Sequence, residues 1–411
     1  MKVIRAHKIR LNPTPEQEQW LLKACGVARF VYNWGLEEWR RQYEAGGKPS
    51  AYTLKKQFNA IRREQFPWTY EVTKNAVDTG FKNLEAAFRN FFRRVKEGSG
   101  KVGYPRFKSR KRSKTSFRMD GCRVKAKGHW VKLEKLDEPI NMTEPLRFEG
   151  VVKSVTISRD NAGHWYASFH VEMETTPIDH PVASVGIDLG IKTLATLSDG
   201  ERFENQEPLK SELRRLRRLS RKLSRQQRGS GRWQRTRQRL ARLHARIRNR
   251  RLDYLHKTTT RIARTYHLIG IEDLNVEGML KNRRLARSIS DAAFGEFHRQ
   301  LQYKAEWYGG RVVAIDRFFP SSKTCGACGC VNNDLALSDR VWTCHGCGVI
   351  HDRDLNAARN IERQALLVSG RSGFADTLNG RGRGVRPMMA TPDEASKVGA
   401  ERTPVQTIAL A

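Results

Sequence analysis

Three acidic side chains lie where an α/β fold would bring their carboxylates together. Asp188 lies between Gly186 and Gly190, near the end of the short apolar stretch 184–189, and Glu272 follows the apolar stretch 268–271. Asp354 lies in the string HDRDLNAA, at the first turn of a predicted final helix. Taken singly, each acid could be a helix cap or a solvated strand end. Together, three close carboxylates repel one another unless cations lie between them, and hard oxygen ligands suit Mg²⁺.

Such a set of carboxylates can support phosphodiester hydrolysis. Two Mg²⁺ ions about 3.5–4 Å apart can activate a water molecule and stabilise the leaving 3′ oxygen. We therefore predict that Asp188, Glu272 and Asp354 are the catalytic residues and the ligands of two Mg²⁺ ions.

A second group of residues has the spacing of a zinc site. Two CxxC pairs, separated by fifteen residues, supply four thiolates: Cys325, Cys328, Cys344 and Cys347. Four thiolates at the corners of a tetrahedron fill the coordination of Zn²⁺, so we predict one structural zinc without an open position. The alternative is four reduced structural cysteines. Cys330 falls outside the pattern, and His345 could compete only weakly as a ligand.

The charge of the chain indicates a polyanionic partner. The 411 residues contain 77 Lys and Arg against 43 Asp and Glu, a formal net charge of +34. An excess of this size resists compaction unless a polyanion neutralises it, and this favours nucleic acid. An anionic membrane is the alternative, but no apolar run approaches the ~18 residues that span a bilayer. The start of the chain resembles a strand, and the CxxC pairs suit a reducing compartment, so we expect a cytoplasmic protein.

The spacing of apolar residues in the first half of the chain changes twice, from a strand pattern to a helical pattern and back. Residues 3–11 alternate as a strand does, and Thr14, Pro15 and Gln17 then form the start signal of a helix. Helical periodicity continues to about Val95, a basic loop follows, and residues 117–174 alternate again with turn signals between runs. The pattern predicts a β-barrel interrupted by a helical insertion after its first strand.

The second half has the pattern of an α/β domain. A strand from residue 184 and a hairpin precede the segment 210–251, which holds eighteen Lys or Arg and one acid. Leucines at helical spacing predict two antiparallel basic helices joined near residues 229–231. A strand over 267–271, a helix over 291–308 and a strand over 311–316 are predicted next.

Several strings of this sequence resemble the TnpB family, the RNA-guided RuvC-type nucleases of bacterial insertion sequences and relatives of type V CRISPR effectors. These strings are GIDLGIK, GIEDL, NRRLARSISDAAFGEFHRQL, FPSSKTCGACG and HDRDLNAARNI. The resemblance covers nearly the whole chain and implies a multidomain α+β fold, with the acids on the first strand, the fourth strand and the last helix of an RNase H-like domain. The implied parts are a wedge β-barrel (1–11 and 115–182), an inserted helical recognition lobe (12–114), a RuvC nuclease domain (183–318 and 351–376), a zinc ribbon (319–350) and a disordered tail (377–411).

The resemblance also implies an activity and partners. Proteins of this family bind a guide (ω) RNA, recognise a short motif beside the target in double-stranded DNA, and form an RNA–DNA heteroduplex. They cut both strands at one RuvC site, for which the motifs match Asp188, Glu272 and Asp354, with Asp352 and Arg353 as weaker candidates for supporting roles. We expect this chain to act as a monomer in its ribonucleoprotein and to associate with the bacterial nucleoid when bound to DNA.

Basic and polar side chains are predicted to contact nucleic acid. The arginine-rich helices and the loop 93–114 can neutralise the phosphates of guide RNA and heteroduplex. Tyr52, Lys74 and Asp78 on the helical insertion could read base edges. The other predicted contacts are Arg106, Arg110, Arg112, Arg214, Arg218, Arg221, Arg225, Arg283, Arg284 and Arg353. A merely solvated charged face is the alternative for the basic segments, and Trp20, Trp34 and Trp68 are expected in the core.

Two other classes of function compete with guided cutting. A DNA-joining transposase could use the same carboxylates, but it would need a 3′-OH nucleophile and would leave a strand-transfer product. A guided repressor that only occupies DNA would not need the acids, and all three are present.

Overall fold

The computed structural model describes residues 2–98, 102–336 and 338–371. The predicted tail 377–411, and the last five residues of the predicted nuclease domain, lie outside this part of the chain. No helix within the described ranges is long and apolar enough to cross a membrane.

A seven-stranded antiparallel sheet forms the first layer of the fold. Its strands are β1 (Lys2–Asn12), β2 (Thr115–Asp120), β3 (Val124–Lys127), β4 (Trp130–Leu133), β5 (Ile140–Met142), β6 (Val151–Arg159) and β7 (Trp165–Glu174). The spatial order is β2-β6-β7-β1-β5-β4-β3. The two outermost strands, β2 and β3, are consecutive in the chain and are joined by the single 3-10 turn Gly121–Arg123. The sheet must therefore curl until its ends meet, which confirms the predicted barrel as a nearly closed one.

A helical segment is inserted between β1 and β2. It contains α1 (Pro15–Glu44), α2 (Ala51–Gln65), a 3-10 turn (Pro67–Glu71) and α3 (Lys74–Lys96). The predicted start of α1 is confirmed: the Gln17 amide donates to the Thr14 hydroxyl at 3.3 Å, and the Gln17 side chain accepts from the Thr14 amide at 3.0 Å. The apolar faces of α1 and α3 share one core with the inner face of the barrel.

A five-stranded sheet forms the centre of the second half. Its strands are β8 (Val182–Leu189), β9 (Thr193–Leu197), β10 (Arg202–Glu204), β11 (Tyr266–Glu272) and β12 (Arg311–Ile315), in the order β10-β9-β8-β11-β12. The first three strands pair antiparallel, whereas β8, β11 and β12 run parallel. The carboxyl ends of the parallel strands therefore meet at one edge, as the predicted carboxylate site requires.

Helices cover this sheet and extend from it. They are α4 (Pro208–Ser224), α5 (Gly231–Thr265), α6 (Val276–Met279), α7 (Ala286–Ala292), α8 (Phe294–Tyr308) and α9 (Arg353–Arg371). The predicted pair of basic helices is confirmed as α4 and α5, which pack against each other. Between β12 and α9 lies a small module with the two-stranded sheet β13 (Val341–Thr343) and β14 (Ile350–Asp352).

The helix predicted over 291–308 is confirmed as α8 from Phe294 onward, but its predicted start at Asp291 is wrong. The helix is broken at Ala293, whose φ of 56° is left-handed, and α7 and α8 lie on either side. The buried carboxylate of Asp291 accepts the amides of Leu209 and Lys210 at 3.0–3.1 Å and pairs with Arg251 at 2.8 Å. These contacts bind the end of α7 to the start of α4, and the chain turns at Ala293 to begin α8.

Candidate active site and metal centre

Two of the three predicted acids lie side by side on the central sheet. Asp188 lies near the end of β8, and Glu272 is the last residue of the neighbouring parallel strand β11. The register pairs Ile187 with Ile271, so each acid directly follows a residue of the same pair. Parallel pairing thus brings two residues that are 84 positions apart to one sheet edge.

The third acid reaches this edge because α9 packs directly on the sheet. Gly186 and Gly270 are register partners in β8 and β11, and both face α9. A Cβ atom on Gly186 would lie 2.0 Å from the Ala358 carbonyl oxygen, and one on Gly270 would lie 2.7 Å from Ala365 Cβ. Only glycine lets the helix approach this closely, and its first turn carries Asp354.

The charges of the other two acids act on Asp188. Asp188 is half-buried as a residue, but protein atoms surround its carboxyl group. This burial raises the pKa of Asp188 to about 7, and the negative charges of Glu272 and Asp354 act in the same direction. The guanidinium groups of Arg353 and Arg340 oppose the shift. Three hard oxygen donors with this mutual repulsion fit a divalent cation such as Mg²⁺.

Each of the other acids at this edge has its own partner. Arg340, from the module between β12 and α9, contacts both carboxylate oxygens of Asp354 at 3.1 and 3.2 Å. The Ser321 hydroxyl donates to Glu272 Oε1 at 2.6 Å. Asp352, predicted as a supporting residue, pairs with Arg202 at 2.8 Å. Its carboxylate also accepts the Leu355 amide and so caps the start of α9. Burial raises the pKa of Asp352, but its hydrogen bonds and ion pair outweigh this and lower it overall.

The four predicted zinc ligands converge. Among the described residues they are the one group of three or more His, Cys, Asp or Glu side chains whose ligand atoms all lie within 4.8 Å of one another. The Sγ atoms of Cys325 and Cys347 are 3.6 Å apart, as are those of Cys328 and Cys344. Thiolates around a tetrahedral Zn²⁺ with ~2.3 Å bonds stand about 3.8 Å apart, so the four side chains fit that ion. The carboxylate oxygens of Asp188, Glu272 and Asp354 do not form a group within 4.8 Å of one another.

The two CxxC halves of the cysteine cluster make the same backbone hydrogen bond. In each half, the amide of a glycine donates to the carbonyl of the first cysteine: Gly329 to Cys325 at 2.9 Å and Gly348 to Cys344 at 2.8 Å. Both glycines have positive φ, 79° and 73°, a conformation that side chains disfavour. Each CxxC pair is therefore followed by a tight turn at a glycine.

Neighbours of the cluster are placed less simply than the sequence predicted. Cys330 and His345 contact each other at 3.2 Å outside the four-thiol group. His351 Nε2 lies 2.9 Å from Cys325 Sγ, a contact that sequence reasoning missed. Asn356 and Asn360 of α9, also missed, bond to the backbone beside Cys325. Their spacing of four residues within the string DLNAARNI places both on one helix face and was the available signal.

Most of the predicted arginine contacts lie in separate exposed groups, whereas Arg353 is half-buried and donates to the Ala336 carbonyl at 3.3 Å. Seven residues of α4 and its end line an open groove: Arg214, Arg217, Arg218, Arg221, Lys222, Arg225 and Gln226. Arg106, Arg110 and Arg112 are exposed on a loop held by the reciprocal bonds of Asn33 and Lys108 at 2.8–2.9 Å. Arg283 and Arg284 are exposed in the turn before α7.

The three candidate base readers differ in availability. Tyr52 is 80% exposed on the first turn of α2, and Lys74 is exposed at the start of α3. The Asp78 carboxylate, in contrast, pairs with Lys55 at 2.6 Å. Of the tryptophans expected in the core, Trp20 and Trp34 pack against it, whereas Trp68 is 43% exposed.

The chain is similar to known protein families and to proteins of solved structure. Three family models match the chain: one described as a probable transposase (OrfB of IS605) over 168–283, the TNB domain of Cas12f1-like proteins over 294–361, and a helix-turn-helix domain over 1–48. The last range holds one strand and one long helix in this structure.

Two relatives align over almost their full length. A putative RNA-guided DNA endonuclease of Streptomyces pristinaespiralis is 39% identical over 97% of this chain and 95% of its own. The putative RNA-guided DNA endonuclease InsQ of Escherichia coli is 35% identical over 90% of this chain and 95% of its own. Among solved structures, a Cas12f1–sgRNA–target DNA complex shares the fold with a TM-score of 0.53 at 14% identity, covering 88% of this chain and 98% of that one.

Proposed function

This chain belongs to the TnpB family, the OrfB proteins of IS605-type insertion sequences, and on that premise we propose that it is an RNA-guided DNA endonuclease. The observation that supports the proposal is the placement of Asp188, Glu272 and Asp354 around one sheet edge, where burial and the negative charges of Glu272 and Asp354 raise the pKa of Asp188. The names of the two full-length relatives support the same activity.

Asp188, Glu272 and Asp354 would hold Mg²⁺, for which we propose two ions. When bound, Mg²⁺ supplies positive charge that activates a water molecule and stabilises the charge developing on phosphate oxygens. Arg340 contacts Asp354. Once that carboxylate is otherwise neutralised, the guanidinium can pair with a phosphate oxygen in a charge-assisted bond. Arg353 favours the ionised state of Asp188.

The four thiolates would hold one structural zinc, because all four positions of the tetrahedron are filled by cysteine. We assign the zinc ribbon to 319–350 and the nuclease domain to 183–318 and 351–376, on either side of it. The ribbon contributes Arg340 and Ser321 to the neighbourhood of the carboxylates. Its role is therefore to support the nuclease site from one side.

Exposed basic residues would bind the guide (ω) RNA and the RNA–DNA heteroduplex. The α4 groove is the main candidate, since it presents six basic side chains together and each can neutralise one phosphate. On the lobe 12–114, Tyr52 and Lys74 would meet the duplex that carries the target-adjacent motif. Asp78 would first have to leave Lys55.

A plasmid-cleavage assay tests the proposal. The protein is co-expressed with the DNA that flanks the end of its gene, and a library with randomised bases beside a fixed target is offered with Mg²⁺ or with a chelator. We expect double-strand breaks beside one adjacent motif, and none from an Asp188→Ala variant that still retains the plasmids. The variant is the matched control because it keeps the RNA-binding surfaces.

Three other outcomes would count against the proposal. Guide-dependent retention without cleavage by the wild-type protein would indicate a repressor. A strand-transfer product with a new 3′-linked joint would indicate a transposase. Cleavage that persists in Asp188→Ala would remove the carboxylates from the mechanism.

A further inference from the structure

A hydrogen-bonded chain connects Glu272 to the cysteine cluster and to α9. Ser321 is 4% exposed, and its hydroxyl donates to Glu272 Oε1 at 2.6 Å, a length typical of a charge-assisted bond. A glutamate at a strand end has a terminal torsion with a broad energy well. The Ser321 bond fixes one oxygen of that carboxylate and therefore the direction of the other.

Ser321 is itself held by α9. The Nδ2 group of Asn360 donates to the Ser321 carbonyl at 2.9 Å and to the Thr324 carbonyl at 2.7 Å, which uses both of its hydrogens. Asn360 is 3% exposed, so these bonds form away from water. An aspartate of the same size would place a carboxylate against two carbonyl oxygens.

One turn nearer the start of α9, the helix holds the first zinc knuckle, which is the CxxC turn with Cys325 and Cys328. Asn356, 4% exposed, donates to the Thr324 carbonyl at 2.7 Å and accepts the Gly326 amide at 2.9 Å. Gly326 directly follows Cys325, one of the four thiols. The same helix carries Asp354 two positions before Asn356. One helix face thus fixes the knuckle and Ser321 relative to the carboxylate at the start of α9.

We propose that Ser321 is a positioning residue for the metal-binding orientation of Glu272. Asn360 holds Ser321 on α9, and Asn356 holds the zinc knuckle on the same helix. The inference rests on the proposed function, since it concerns the orientation of a proposed Mg²⁺ ligand. It adds that the zinc ribbon acts on the nuclease site through Ser321. Partners behind a metal ligand typically change metal affinity about 10–100-fold when they are removed.

The test uses the guide-bound protein with four substitutions. Ser321→Ala removes the hydroxyl, Ser321→Thr restores it, and Asn360→Asp removes the two donors without changing size. Ser322→Ala, in the same turn, is the matched control. The Mg²⁺ concentration for half-maximal cleavage and the maximal rate are measured separately, at saturating target. Mn²⁺ binding by calorimetry supplies a readout that does not need cleavage, and zinc content and thermal midpoint report on folding.

We expect Ser321→Ala and Asn360→Asp to raise the half-maximal Mg²⁺ concentration and the Mn²⁺ Kd at least tenfold. Ser321→Thr and Ser322→Ala should stay within about twofold of wild type, with one zinc per chain throughout. A wild type that cuts while Ser321→Ala keeps its metal dependence would overturn the positioning role. If the wild type binds Mn²⁺ in a Ser321-dependent way and does not cut, the nuclease proposal fails and the positioning role stands.

Discussion

Burial in the folded protein disfavours the charged form of Lys304. This residue is 4% exposed in α8, and its ammonium group donates to the carbonyl of His256 and to the hydroxyls of Thr259 and Thr260 at 2.7–2.9 Å. Burial lowers the pKa of Lys304 to about 8, from an ordinary value of 10.5, although the charge of Glu296 acts in the opposite direction. Three neutral acceptors thus replace the water that the ammonium loses.

We predict that the wild type gains stability relative to a Lys304→Met variant as pH rises from about 8 to 10.5. In this window the unfolded chain still holds the Lys304 proton and the folded protein has released it, so the unfolding free energy increases with pH. The gain is about 3 kcal/mol over the whole window and absent below it. Thermal midpoints of both proteins at pH 7, 8, 9 and 10 measure it. Lys257→Met, on the exposed side of α5, is the control and should show a constant difference.

At the scale of elements, the approach of α9 to the central sheet depends on Gly186. The Cβ of an alanine there would lie 2.0 Å from the Ala358 carbonyl oxygen and 2.4 Å from the Glu362 amide nitrogen, both backbone atoms that cannot rotate away. Because the helix must move as a body, Asp354 would move with it.

We predict that Gly186→Ala lowers the unfolding free energy by about 3 kcal/mol, the upper part of the range for overpacking. Guided cleavage should fall further than the decrease in folded protein explains, because the carboxylates separate. Gly26→Ala is the control, since the nearest atom to its Cβ is the end of the Arg29 side chain at 4.0 Å, and it should be neutral or slightly stabilising. Thermal unfolding and cleavage per folded molecule are the measurements. A Gly186→Ala protein with normal stability would mean that α9 does not pack as described.

Elements set by local chemistry were predictable from the sequence, and those set by distant contacts were not. The start of α1 follows from Thr14 and Gln17, three residues apart, and the convergence of the four cysteines follows from the CxxC spacing. The break at Ala293 arises because Asp291 bonds to the start of α4, about eighty residues earlier. The Ser321 bond to Glu272 likewise joins residues 49 positions apart, and no periodicity in the sequence indicates it.

At the scale of the whole molecule, the net charge of +34 is distributed unevenly. The groove on α4 concentrates arginines with a single acid nearby, whereas other arginines are already neutralised, such as Arg40 by Glu44 and Arg41 by Glu38. Each groove arginine can release a counterion from a nucleic acid on binding, whereas an ion-paired arginine must first leave its acid.

We predict that replacing Arg214, Arg218, Arg221 and Arg225 with glutamine weakens guide RNA binding and flattens its dependence on salt. The slope of log Kd against log salt concentration should fall by about 3, at roughly 0.7–0.9 for each phosphate that the variant no longer neutralises. Filter binding between about 50 and 200 mM salt measures the slope. The pair Arg40→Gln and Arg41→Gln should leave it unchanged. An unaltered slope in the fourfold variant would exclude the α4 groove as the RNA site.

The position of α9 at the end of the described chain has a consequence for synthesis of the protein. Domains generally fold from the N-terminus while the ribosome is still adding residues. The barrel, the basic helices and the strands that carry Asp188 and Glu272 all leave the ribosome before Asp354 is made. Under the proposed function, a nascent chain therefore exposes its basic helices before its set of acids is complete, and a product of premature termination anywhere from β12 to β14 would lack Asp354.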